Sequence, residues 1–83
     1  MAEVLIGRVS HYYSKIGVAA LDLQAPLHKG DRIRVQGPTS YMEGTADSLE
    51  IDHRRVDEAS PGDAVAIKVL ERVRKGDEVY RVT

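Results

Sequence analysis

Valine, isoleucine and leucine fall along this chain in short alternating runs cut by glycine and proline, not at the three- and four-residue spacing of a helix face. The alternation predicts extended strands over Val4–Tyr13, Gly17–Leu23 and Arg32–Gln36. Gly37-Pro38 interrupts pairing, because proline offers no N–H and glycine permits a tight turn. Extended character resumes over Thr39–Met42 and Thr45–Ile51, with Gly44 marking a bulge or bend between them. Ala64–Leu70 carries Val65, Ile67 and Val69 on one face and Ala66 and Lys68 on the other, and Glu78–Val82 completes the series. The inward set is expected to be Val9, Val18, Leu21, Ile33 and Val35, joined by Leu49, Ile51, Val65, Ile67 and Val69. Six or seven short strands with frequent turn signals predict a barrel or sandwich. At this length closure into a barrel removes exposed edges most economically.

One short pattern occurs three times, as Gly30-Asp31-Arg32-Ile33, Gly62-Asp63-Ala64-Val65 and Gly76-Asp77-Glu78-Val79. Each copy opens a predicted strand. Glycine supplies the positive φ of a tight turn and aspartate accepts from nearby backbone N–H groups, so the repeat reads as turn chemistry and not as duplicated ligand sites.

The 83 residues suit one domain, 1–83, with 42% hydrophobic and 30% charged residues, the composition of a chain that folds. Absence of cysteine excludes disulfides, thiolate ligands and a thiol nucleophile. Glu3, Gly7 and Arg8 interrupt the first segment, which fits neither a signal peptide nor a membrane span, so a cytoplasmic address and no membrane contact are expected. Twelve Lys and Arg against thirteen Asp and Glu give a net charge of -1, so any nucleic-acid role needs a local basic face.

No GxxxxGK[ST] loop or GxGxxG turn is present, so no nucleotide is expected to bind to this chain alone. His11, His28 and His53 lie on separate segments without metal-ligand spacing, the serines include no GxSxG elbow, and Glu50 with Asp52 reads as a solvated acidic face. No catalytic residue, metal or cofactor is expected.

Three features together resemble the second domain of elongation factor Tu and its relatives among translational GTPases. They are Gly7-Arg8-Val9, the run Leu27-His28-Lys29-Gly30-Asp31-Arg32-Ile33-Arg34-Val35, and Ser48-Leu49-Glu50-Ile51 followed by Val56, Ala59 and Pro61-Gly62-Asp63-Ala64-Val65-Ala66-Ile67. The resemblance implies an all-β, six-stranded closed antiparallel Greek-key barrel and a role in contacting RNA or the translation machinery. His11 to Ile16, where that family has its first barrel loop, matches no residues that hold a tRNA end. A similar barrel is appended to collagenase-like peptidases, which implies an accessory, protein-docking role instead.

For RNA or ribosome contact the candidates are Arg32 and Arg34, alternating with apolar residues on one outward face, together with Arg54, Arg55, Arg72, Arg74 and Lys75. Tyr12, Tyr13 and Tyr41 could stack on bases or anchor a protein interface. Neighbours on a strand face opposite ways, so one of Tyr12 and Tyr13 is expected in the core unless a bulge intervenes.

Overall fold

The computed structural model describes residues 2–83. The described residues form ten strands: β1 (Glu3–Tyr13), β2 (Val18–Leu23), β3 (Leu27–His28), β4 (Arg32–Gln36), β5 (Tyr41–Thr45), β6 (Leu49–Ile51), β7 (Arg54–Val56), β8 (Glu58–Ala59), β9 (Ala64–Lys68) and β10 (Glu78–Val82). Eight of them make one antiparallel sheet in the order β5-β4-β10-β1-β2-β9-β6-β7, and β3 pairs with β8 in a separate ribbon. No helix among the described residues is long and apolar enough to cross a membrane.

Among the described residues only the β3–β8 ribbon, through Leu27 and Ala59, and the β9–β10 loop, through Val73, add to the sheet's apolar face, so the sheet buries the rest by rolling on itself. In a flat sheet β5 and β6, six spacings apart, would lie about 29 Å from each other. Yet only Ala46–Ser48 separates them in the chain, and that link reaches at most about 14 Å from Thr45 to Leu49. The roll gathers Ile6 and Val9 of β1, Leu21 of β2, Ile33 and Val35 of β4, Leu49 of β6, Ile67 of β9 and Val79 of β10 into one buried cluster.

The three Gly-Asp turns supply the bending, and they are built alike. Gly30, Gly62 and Gly76 have φ of +93°, +92° and +91°, as the third position of a type II turn requires. Asp31, Asp63 and Asp77 each accept through Oδ2, at 2.8 Å, the N–H of the residue three back: His28, Ser60 and Arg74. The glycine N–H then donates to the carbonyl of Ala46, Leu23 or Val9 at 2.8, 3.0 and 2.8 Å. The N–H of that same residue returns to the aspartate carbonyl at 2.9, 3.2 and 2.9 Å. Two residues thus oppose one, with glycine at positive φ, which is a G1 β-bulge that bends its strand. The turn reading of the repeat holds in all three copies.

Gly7 carries a different constraint. It faces both Leu23 of β2 and Val79 of β10, and a Cβ there would sit 2.2 Å from the Asp22 carbonyl oxygen. Register shifts at Leu5/Gly7 and Val9/His11 let the long β1 serve both neighbours.

Several expectations need correction. The barrel is neither six-stranded nor closed: β5 and β7 are the unpaired ends of the sheet. The segment from Leu27 to Gly30 stands between them, bonded on one side to Ala59 and Asp57 and on the other to Ala46. Gly44 makes no bulge and pairs regularly with Ile33. Val18 is only half-buried, since it lies three residues from Leu21 and strand parity puts the two on opposite faces. Ile51 packs half-buried at the core margin. Val69 is buried as expected, but β9 ends at Lys68 and Leu70 is 88% exposed.

The parity makes a direct test. Ile67→Ala should cost about 2 to 5 kcal/mol in urea denaturation, whereas Val18→Ala should cost under about 1 kcal/mol. Equal losses would contradict this register.

Candidate docking face

The basic residues named from sequence do not share one face. Arg32 is exposed at the end of β4 that pairs with Val82, whereas the loop carrying Arg72, Arg74 and Lys75 leads into Glu78, which pairs with Gln36 at the other end of β4. Arg54 and Arg55 stand exposed on β7, at the far end of the sheet order.

Arg34 is the least available of the set. Its Nε and Nη2 donate to the two carboxylate oxygens of Glu3 at 2.8 and 2.7 Å, and Nη1 donates to Gln36. The guanidinium stacks over Tyr80 at 4.5 Å and lies 6.0 Å from the Tyr41 ring, leaving its side chain 13% exposed. The hydrogen bond from Arg34 holds the Glu3 carboxyl below its usual range and raises Arg34 in turn. The Tyr80 hydroxyl donates to Glu78 at 3.1 Å, and this bond, reinforced by desolvation, pushes Tyr80 up. These groups lace β1, β4, β5 and β10 together on the outer side of the sheet. Their donors and acceptors face each other rather than a ligand.

The tyrosines divide as strand parity requires. Tyr12 is half-buried against the core, and Tyr13 is 47% exposed with its ring 4.3 Å from that of His11. Tyr41 is 56% exposed beside Arg34.

A different surface was not singled out from sequence. Three of the six outward positions of β2 and β9 are alanine: Ala20 pairs directly with Ala66, and Ala64 follows on the same face, with Val18, Asp22 and Lys68 around them. The alanines floor an open concavity of about 590 Å³. Tyr13, Ile16 and Val18 wall one side, from β1, β2 and the turn joining them. Glu50, Arg55 and the Asp52-His53 turn wall the other, from the β6–β7 hairpin. Ile16 is 63% exposed, and Leu70 stands close by because Val69 donates to the Gly17 carbonyl at 2.9 Å. The legible signal was the alternation in Ala64–Lys68 and Val18–Leu23, where alanine takes three of the outward positions.

Charges of both signs rim this floor without partners among the described residues. Glu50 and Arg55 are directly opposed in register yet form no ion pair, and neither Asp52 nor Lys68 is in one. Asp52 and His53 occupy the left-handed region, with φ of +52° and +64°, as a two-residue hairpin turn requires, and both are among the few residue types besides glycine that are enriched there. Among the described residues no group of three or more His, Asp or Glu is placed to hold a metal.

No protein-family model matches the chain. It is similar to an uncharacterised protease of Methanocaldococcus jannaschii, 38% identical over 79 residues, which covers 94% of the chain and 19% of that protein. A collagenase of Porphyromonas gingivalis is 31% identical over 81 residues, covering 95% of the chain and 20% of the collagenase. The chain spans about a fifth of the length of these curated relatives. Among solved structures, the C-terminal domain of a Geobacillus thermoleovorans protein named as a U32 peptidase superposes with a TM-score of 0.89 at 18% identity, covering 95% of the chain and 92% of that domain. Its selenomethionine variant gives 0.87 at 19% identity. At such identity the likeness shows the fold alone. These findings support the peptidase-appended resemblance and add nothing to the elongation-factor one.

The Glu3–Arg34 pair predicts a pH signature. A carboxyl whose folded pKa is lowered contributes stability above its unfolded pKa and loses it as pH falls through the folded value. Thermal denaturation from pH 7 to pH 3 should therefore show Glu3→Gln losing less stability on acidification than the wild type. Parallel losses would mean that the pair does not form in solution.

Proposed function

We propose that this chain is a non-catalytic accessory module of a peptidase-like polypeptide and works by contacting protein. The observation that carries the reading is the 38% identity across almost the whole chain to a stretch that makes up only a fifth of a protease. The remaining four fifths leave ample room for a catalytic portion elsewhere. Among the described residues, the Ser10 hydroxyl donates to the Ala20 carbonyl, and no serine hydroxyl is hydrogen-bonded to a histidine that could act as general base. Arg32, Arg54, Arg55, Arg72, Arg74 and Lys75 are spread over several elements and Arg34 is engaged, so an RNA or ribosome role has the weaker support.

Two measurements test the proposal. Incubated alone with casein or gelatin, the chain should release no peptides, and cleavage abolished by no inhibitor of a contaminating protease would overturn the non-catalytic reading. In calorimetry, the chain placed in the Methanocaldococcus jannaschii protease instead of the matching region should melt above the isolated chain. Contact at a tenfold excess of effective concentration over Kd adds about 1.4 kcal/mol, or roughly 6 to 11 °C for a domain this small. An unchanged melting temperature would contradict a docking role.

A further inference from the structure

The alanine-floored concavity combines the two things a protein-contact face needs. Its floor and one wall are apolar, with Tyr13 and Ile16 exposed at the margin, and an apolar centre with a charged rim is the arrangement of a protein interface. Its other wall presents Glu50, Asp52 and Arg55, which have no ion-pair partner among the described residues and are free to pair outward.

We infer that this face docks onto the rest of the peptidase-like polypeptide that carries the module, an inference that rests on the reading proposed above. The occupant is an extended segment that lays a branched aliphatic side chain on Ala20, Ala64 and Ala66 and sets charges of both signs against Glu50 and Arg55. The depth argues for it: with alanines on three adjacent outward positions, the floor lies one side chain below its walls. Along β9 the alanine floor runs about 7 Å, from Ala64 to Ala66, the distance between successive same-face side chains of an extended segment. A second copy fits poorly, since two concave floors cannot fill one another. A free peptide would need its affinity from this shallow face alone, whereas a tethered segment is present at millimolar effective concentration. At about 1 mM against a Kd of about 0.1 mM, the face would be open only about a tenth of the time.

The absence of cysteine allows a direct test. Ala66→Cys and Ile16→Cys report on the face, Ile16→Cys being at an exposed position that tolerates exchange; Tyr41→Cys reports on the Arg34 side. Each is made in the isolated chain and in the chimera with the Methanocaldococcus jannaschii protease, and maleimide labelling is followed by peptide mapping. The expected result is labelling about tenfold slower in the chimera at positions 66 and 16, with Tyr41→Cys unaffected. Slowing at position 41 alone would overturn this face while leaving the accessory reading standing. Unslowed labelling at all three positions would overturn both. Labelling of Ala66→Cys that slows as the isolated chain is concentrated would assign the face to a second copy and overturn the inference.

Discussion

Pairing two residues against one at the Gly-Asp turns is the constraint on which the rest of this fold depends. A single sheet whose apolar face receives only a short ribbon, through Leu27 and Ala59, and one loop residue, Val73, buries the rest of that face by bending, which bulges add to the regular twist. The three bulges seat Val9, Leu23 and Ala46, all buried, at the starts of β10, β9 and β4. At Ala46 the consequence is largest. That residue is the last one tied to the β4–β5 side, and three residues later Leu49 already pairs with Ile67 on the other side of the roll.

Bending also sets what the outer surface can offer. On one side, the ladder from Glu3 through Arg34 to Tyr80 satisfies its own donors and acceptors and ties four strands together. On the other, β2 and β9 present alanines to solvent, and the two hairpin ends rise on either side of them. The two surfaces use the same outward positions of the same kind of strand. One is filled by long polar side chains that engage each other, and the other is an open concavity floored by alanines.

Much of this was legible in the chain. Arg32–Gln36 and Glu78–Val82 have the predicted bounds because alternation there is unbroken. The Gly-Asp repeats were readable because their chemistry is local, set by a glycine φ and an aspartate side chain three residues from its donor. The strands Leu27–His28, Arg54–Val56 and Glu58–Ala59 were missed because two or three residues carry no period. Open edges were not foreseen either, since they depend on where Leu27 to Gly30 finds its partners. Arg34 read as an available cation because its partner Glu3 is 31 positions away. The docking face lay unread in the alanines, whose smallness signals nothing until strand order sets Ala20 beside Ala66.

The central claim is that the alanine face exists to be covered by the polypeptide that carries it. The most direct measurement is a crystal structure of the intact Methanocaldococcus jannaschii protease, whose matching stretch makes up 19% of its length. The account predicts that the surface corresponding to β2, β9 and the β6–β7 hairpin is buried against the remaining four fifths, with an aliphatic side chain seated on the floor between the two hairpins. A structure in which that surface faces solvent, while the side corresponding to Arg34, Tyr41 and Tyr80 makes the contact, would contradict it.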